Sequence, residues 1–312
     1  MNLSKIYWRV RKYIRDPHYR FGIHDKLGFF RYISDEKYLK KAFYANLGRE
    51  LNLDAPKTFN EKLQWLKLYD RKPEYTQMVD KYAVKRYIAT HIGEEYVIPT
   101  LGVWDRFEDI DFATLPNQFV LKCTHDSGGI VICRDKSTFD IDVARKTIKR
   151  SLKTNYYLKG REWPYKDVKP RIIAEKYMED TTQGEGLTDY KFYCFDGEPK
   201  LLYTSKGLED HSTASISFLN MDWTFAPFGR TDYKPFSTLP KKPENYEEMI
   251  RIAKELSAGF SFLRVDLYEV EKKVYFSELT FSPCSGYMPF THEEWNEILG
   301  SWITLPERTP AN

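Results

Sequence analysis

Apolar and polar positions recur along the chain in two periods, and each change of period marks an element. Over the first fifty residues, apolar and aromatic side chains return at helical spacing among basic ones: Tyr7, Val10, Tyr13 and Ile14, then Leu39, Phe43 and Leu47. This predicts helices joined by polar turns. Thr58, followed three residues later by Glu61, has capping-box spacing for a helix through Leu66. A further helix reads from Asp80 to Ile92 on Tyr82, Val84, Tyr87 and Ile88, and Val97-Ile98-Pro99 leads it into a strand. From residue 118 the period shortens. Residues 118–122 and 130–132 read as strands about Ser127-Gly128-Gly129, a glycine-tipped hairpin. A helix over 142–152 precedes a strand over 171–177. Strands over 189–194 and 200–204 flank the turn Asp196-Gly197, and 214–219 follows them. A helix over 245–256 then leads into two strands, 262–269 and 273–279, joined by a charged turn. The interleaving is α+β, without internal repeats or low-complexity tracts.

A chain of 312 residues that is 42% hydrophobic can bury a sizeable core in one large domain or two smaller ones. Its net charge of +3 arises from 48 Lys and Arg against 45 Asp and Glu, a balance that argues against a dedicated nucleic-acid binder. Arg9, Arg11, Lys12, Arg15 and Arg20 are interleaved with aromatics and lack the unbroken apolar core of a signal peptide. No stretch approaches the roughly 18 apolar residues that span a bilayer. Cys123, Cys133, Cys194 and Cys284 have no paired short spacing, which fits reduced thiols in a cytoplasmic protein. The basic-aromatic N-terminus has two readings. One is a peripheral contact at the inner face of the membrane; the other is a helical collar packed on the main domain, with Lys and Arg stems lying over it.

Three segments carry chemistry. In Phe262-Leu-Arg-Val-Asp266-Leu-Tyr and Val274-Tyr-Phe-Ser-Glu278-Leu-Thr-Phe, two adjacent strands each bear one carboxylate in an apolar run. A lone buried anion there would cost several kcal/mol, so something cationic must compensate it. Magnesium bridging phosphate oxygens is one solution, since it takes one or two carboxylates and completes its shell with water and phosphate. Arg264, as a structural ion pair, is the other. Lys122 stands at the end of a buried strand just before the Gly-Gly tip, where turn amides and an ammonium can hold phosphate, although there is no Walker sequence. Ala174-Glu175-Lys176-Tyr177-Met178-Glu179-Asp180 runs from a strand into an acidic turn. A strand edge there could meet adenine with main-chain groups, and a carboxylate beyond it could meet ribose.

Taken in order, these pieces resemble the ATP-grasp superfamily. The runs Thr58-Phe-Asn-Glu-Lys-Leu-Gln-Trp65, Phe119-Val-Leu-Lys-Cys-Thr-His-Asp-Ser-Gly-Gly129, Asp189-Tyr-Lys-Phe-Tyr-Cys-Phe-Asp-Gly197 and Ser277-Glu-Leu-Thr-Phe281 look like its TupA-like branch, associated with cell-surface polysaccharide and teichuronopeptide biosynthesis. The resemblance covers roughly residues 50–305. It implies two α+β subdomains clamping ATP, with an N-terminal helical extension. Lys81 and Lys122 match the phosphate-binding lysines, and Ser127, Gly128 and Gly129 the mobile phosphate lid. Glu175, Lys176 and Tyr177 match the adenine hinge, with Glu179 positioned for ribose. Lys191 matches the basic position facing the triphosphate. Asp266 and Glu278 match the metal-binding acids, and Thr280 stands where the family usually has an asparagine as third ligand; a threonine hydroxyl ligates more weakly. Arg264 and the turn Ser282-Pro-Cys-Ser-Gly-Tyr287, with Ser285 and Gly286, would lie near the transferred phosphoryl group and the acceptor, and His125 is a candidate on the substrate side.

The implied organisation is an N-terminal helical extension (1–55), a helical and α/β region (56–117), a lid subdomain with the glycine-rich loop (118–180) and a C-terminal subdomain with the metal-binding acids (181–312). The implied activity is an ATP- and magnesium-dependent ligase joining a carboxylate to an amine through an acyl phosphate. A uronic acid or amino acid of surface polysaccharide is the implied carboxylate, with peripheral association to a membrane-bound polysaccharide assembly. Two rivals remain at this stage. A sugar-nucleotide glycosyltransferase would hold a diphosphate through an Asp-rich metal site, and a non-catalytic nucleotide-binding assembly protein would fit the altered third metal position.

Overall fold

The computed structural model describes residues 3–179, 187–206 and 214–308. In chain order the elements are α1 (Leu3–Arg15), α2 (Pro17–Lys26), α3 (Asp35–Leu47), α4 (Phe59–Tyr69), α5 (Glu74–Val79), α6 (Ala83–His91), β1 (Thr100–Trp104), β2 (Phe119–Cys123), β3 (Ile130–Cys133), α7 (Ile141–Leu152), β4 (Ile172–Lys176), β5 (Asp189–Phe195), β6 (Glu198–Lys206), β7 (Ser215–Asn220), α8 (Tyr246–Ser257), β8 (Phe262–Val270), β9 (Lys273–Thr280) and α9 (Glu294–Ser301). They build two antiparallel sheets, one of order β1-β4-β2-β3 and one of order β7-β6-β5-β8-β9. The fold is α+β with a helical N-terminal region, as the sequence pattern predicts.

The larger sheet is buried on both faces, and the two-residue period of its strands sorts the side chains. On β5, Tyr190, Phe192 and Cys194 pack with Met249, Ile252 and Leu256 of α8. Tyr193 and Phe195 turn the other way, onto Phe59 and Leu63 of α4 and Leu299 of α9. Lys191 shares that second face by alternation. The smaller sheet covers one side with α7, through Ala144 and Ile148 packed on Leu121, Cys123, Ile172 and Ala174. Of the region 56–117, α4 lies against the larger sheet and β1 is a strand of the smaller one.

Local rules account for some element ends. Thr58 Oγ1 accepts from Glu61 N (3.3 Å) and Glu61 Oε2 accepts from Thr58 N (3.0 Å), so the capping box predicted for α4 is formed. The helix expected from Asp80 begins only at Ala83, because Asp80 Oδ1 accepts from Tyr82 N (2.9 Å) and Ala83 N (3.3 Å) and separates α5 from α6. The strand over 171–177 was expected to offer an exposed edge. It is an inner strand, held between β1 and β2, and has no open edge of its own. The collar reading holds for α3, whose Tyr38, Leu39, Ala42 and Phe43 are buried with Trp65. It fails for α1, in which no described side chain is buried.

Candidate functional site

Antiparallel register across β5, β8 and β9 sets Lys191 opposite Asp266 and Asp266 opposite Glu278, so three charged side chains form one row across three strands. The next row along holds Tyr193, Arg264 and Thr280. Asp266 is completely buried, and its charge is compensated from two sides. Arg264 donates Nε to Oδ1 (2.6 Å) and Nη2 to Oδ2 (2.6 Å), and Lys191 donates Nζ to Oδ2 (2.6 Å). Burial alone would raise the Asp266 pKa, but Arg264 and Lys191 outweigh it and hold the carboxyl below its ordinary value. Lys191 also reaches Asp189 at 3.1 Å; burial nevertheless raises the Asp189 pKa. Glu278 is the acid left open, with its side chain about a third exposed (32%) and its nearest cation, Arg264 Nη2, 3.9 Å away.

A second group of charges comes from the smaller sheet and from α6 with the turn before it. Glu175 is buried between Lys122 Nζ (2.6 Å) and Lys85 Nζ (2.5 Å). Burial favours its protonated form, but the two ammonium groups, Lys122 first, prevail and keep its pKa lowered. Burial likewise works against the charge of Lys122, and is outweighed by Glu175, Tyr268 and Glu278, so its pKa is raised. Lys81 donates to the Asp126 carbonyl at the root of the β2–β3 loop. In that loop Gly129 has no room for a side chain: a Cβ would lie 2.3 Å from Ser151 Oγ, whereas one at Gly128 would meet nothing within 4 Å. Ser127 is exposed and donates to the Tyr156 hydroxyl (3.2 Å).

Two adjoining cavities run between the sheets. One, of about 190 Å³, is lined by Lys81, Lys85, Lys122 and Glu175 from one side and Asp189, Lys191, Tyr268 and Glu278 from the other. The other, of about 390 Å³, shares Lys122, Glu175 and Tyr268 and opens onto Lys176, Tyr177, Met178 and Glu179, with Val120, Ile132 and Leu187 as apolar walls. One end of the cleft is therefore cationic and narrow, and the other is wider, with apolar walls beside the charged side chains of Arg134, Lys176 and Glu179. Asp180, the last acid of that turn, lies outside the described residues.

The turn with Ser285 and Gly286 is held from beneath by α4. Cys284, Ser285 and Gly286 take positive φ in succession (52°, 52° and 70°), a left-handed run that is costly for the first two and natural only for the glycine. One face of α4 braces it. Asn60 Nδ2 donates to Met288 O and Asn60 Oδ1 accepts from Met288 N (both 3.0 Å), Gln64 Nε2 donates to Gly286 O (2.8 Å), and Lys67 Nζ donates to Ser285 O (2.6 Å). Lys67 is fully enclosed; burial pulls its pKa down to about 8 against the opposing pull of Glu162. His125 stands elsewhere. It is buried, its Nε2 lies 3.2 Å from Ser151 O and 3.1 Å from Thr154 O, and it lines neither cavity.

Several residues of the cleft were not singled out from the sequence, although each had a signal. Lys85 follows Lys81 by four, one helical turn along. Asp189 and Tyr268 lie two positions from Lys191 and Asp266, on the same strand faces. The bracing side chains Asn60, Gln64 and Lys67 share one face of α4 at spacings of four and three.

The residues suit magnesium to a definite extent. Among the described residues no three His, Cys, Asp or Glu side chains converge as a metal cluster. A magnesium ion asks for less: Glu278 and Asp266 sit side by side, and Thr280 Oγ1 and Asp189 Oδ1 are buried without a hydrogen-bond partner. Two carboxylates with phosphate oxygens would complete such a shell.

Comparison with known proteins gives the following. Residues 61–304 match the family model described as TupA-like ATPgrasp, 244 of the 312 residues. Among solved structures, the chain is similar to D-alanine–D-alanine ligase from Bacillus anthracis complexed with ATP, at 15% identity, 66% of this chain, 55% of that one and a TM-score of 0.38. It is similar to the ATP-grasp ligase PsnB complexed with minimal precursor, Mg and ADP at 12% identity, 71% and 57% coverage and a TM-score of 0.38. It is also similar to a RimK domain ATP-grasp protein from Sphaerobacter thermophilus at 13% identity, 79% and 86% coverage and a TM-score of 0.39. The chain thus spans little more than half the length of the first two. No curated protein matches it.

Proposed function

The chain belongs to the TupA-like ATP-grasp family, and from that premise we propose that it is an ATP- and magnesium-dependent carboxylate–amine ligase working through an acyl phosphate. The observation that carries this reading is that Lys191 and Glu278, the two ends of the row through buried Asp266, line one narrow cavity together with Lys81, Lys85 and Lys122. Four lysines around the cavity with an open carboxylate, Glu278, among them suit a polyphosphate with its metal better than they suit a neutral ligand.

In this reading the apolar cavity takes the adenine against Tyr177 and Met178, with Glu179 at the ribose, and the cationic cavity takes the phosphates. Magnesium, when bound at Asp266 and Glu278, would neutralise charge on the β- and γ-phosphates. Lys122 and Lys191 hold the phosphate oxygens, and Arg264, fixed by Asp266, presents its guanidinium to the moving phosphoryl group. The acceptor carboxylate attacks the γ-phosphorus in line and ADP leaves; an amine then displaces phosphate from the acyl phosphate to give the amide. Ser127, Gly128 and Gly129 form the lid that keeps water from the acyl phosphate, and Ser285 and Gly286 present the acceptor. The carboxylate is a uronic acid or amino acid of surface polysaccharide, the reaction is cytoplasmic, and a membrane-bound polysaccharide assembly is the peripheral partner of this role.

Two expected results arise directly. Mg-ATP should raise the thermal midpoint, by the equivalent of about 2.7 kcal/mol at a hundred times Kd. Nucleoside diphosphate sugars should not; a larger shift with a sugar nucleotide would replace the ligase by a glycosyltransferase. Lys122→Ala should weaken ATP binding by about 1–3 kcal/mol in calorimetry. The fold should survive, because Lys85 still holds Glu175. Unchanged affinity in the folded variant would make Lys122 structural.

A further inference from the structure

The charge of the chain is unevenly placed. Residues 1–32 contain eight Lys and Arg against two Asp, a net +6, while the remaining 280 residues carry 40 against 43, a net −3. Within this segment α1 has five basic residues and no acid. Its apolar side chains Ile6, Tyr7, Val10 and Ile14 fall on one arc of the helix, and Tyr7, Val10 and Ile14 are 70%, 53% and 66% exposed. Arg9, Arg11 and Arg15 flank that arc and are exposed too. Leu27, Phe29 and Tyr32 add exposed apolar surface in the turn after α2. Eight of the seventeen large apolar or aromatic side chains exposed among the described residues therefore lie between residues 6 and 32.

The helix is held rather than dangling. Arg20 Nη1 donates to the Tyr13 and Ile14 carbonyls (3.3 and 3.0 Å), capping the end of α1, and the Tyr13 hydroxyl pairs with His24 Nε2 (2.6 Å). Asp16 caps α2 by accepting from Tyr19 N (2.9 Å), and Trp8 packs edge-on to Tyr19. Buried Arg161 donates to Phe30 O (2.7 Å) and ties the segment to the body. A fixed amphipathic helix that shows water its apolar arc, with arginines along its margins, has the composition of an interfacial helix. At 13 residues, α1 is too short to span a bilayer, and among the described residues no helix is long and apolar enough to do so.

We propose that α1 and the turn after α2 dock the enzyme on an anionic phospholipid surface, with Tyr7, Val10 and Ile14 at the acyl boundary and Arg9, Arg11 and Arg15 among the headgroup phosphates. The charge contrast selects this occupant: an acidic body is repelled by the surface that attracts the N-terminal segment, which orients the molecule. The docking stands independently of the ligase reading.

The test is flotation of the full chain with vesicles of phosphatidylcholine alone or with about 30% phosphatidylglycerol, the anionic component setting the surface potential. Expected is binding to the anionic vesicles only, released by high salt. Val10→Glu with Ile14→Glu should abolish it, and Arg11→Gln with Arg15→Gln should lower the partition about tenfold or more. Both variants should keep the thermal midpoint and ADP formation, since no described side chain of α1 is buried. Absent flotation, equal binding to neutral vesicles, or binding unmoved by Val10→Glu/Ile14→Glu would each overturn the proposal. So would concentration-dependent dimers, seen in sizing and lost in that variant without lipid binding, because the arc would then be an interface between copies.

Discussion

Glu278→Gln is expected to leave the ligand-free protein as stable as wild type, to within about 1 kcal/mol, and to reduce magnesium-dependent ADP formation on the order of a thousandfold. The two halves of this result have different origins. For stability, what matters is what the substitution strands. Arg264 stays paired through two short bonds to Asp266, and its distance to Glu278 is 3.9 Å, so neutralising a side chain that is a third exposed leaves no buried guanidinium without a partner. For activity, what matters is metal binding: Asp266 is already shared between Arg264 and Lys191, so Glu278 is the acid with free oxygen for an ion. Urea unfolding of the ligand-free variant and an ADP-release assay measure the two separately. A loss of 3–5 kcal/mol would instead assign Glu278 to a structural ion pair and remove the main support for the metal site.

Asp266→Ala has the opposite signature: it should cost about 3–5 kcal/mol of stability and abolish ADP formation as well. Removing this one carboxylate leaves Arg264 without its bidentate acceptor and Lys191 with Asp189 alone, and both cations are buried. Asp266→Leu combined with Arg264→Met should recover much of the stability, because an apolar replacement of similar volume removes the stranded charge; activity should not return. An Asp266→Ala protein as stable as wild type would mean that the network contributes nothing to the fold. The same carboxyl makes an acid limb. Its folded pKa is lowered, so its contribution is complete above the ordinary aspartate value of about 3.9 and is lost as pH falls through the folded value. Between those two pH values wild type should therefore lose stability on acidification more steeply than the Leu/Met double variant.

The candidate cleft joins parts far apart in the sequence, and the residues differ in how far each could be read in advance. Glu61, Gly129 and the strand pair carrying Asp266 and Glu278 were legible because each sits in a local pattern: a cap at three-residue spacing, a tight turn, a carboxylate interrupting an apolar run. Lys85 was legible in principle, one turn after Lys81, yet its role depends on Glu175, ninety residues later and on another element. The dual use of Asp266 was not legible, since one reading set a metal and the other an ion pair in the same place, and in the fold Arg264 and Lys191 both close on it.

By itself the sequence determined the order of most elements, though not α5 or α9, together with the α+β class, the capping box and the family, because these depend on periods of two or 3.6 residues and on short runs that neighbouring residues impose on each other. The tertiary structure alone decided that Asp80 separates two helices, that β4 is an inner strand and that His125 turns into the α7 contact. It alone decided that Asn60, Gln64 and Lys67 hold the backbone of residues 285–288, and that α1 keeps its apolar arc in water. The reason is physical. Periodicity says which face of an element is apolar, but whether that face is covered, and which distant donor meets a given acceptor, is set by packing free energy summed over the whole chain, which leaves no mark in any local window.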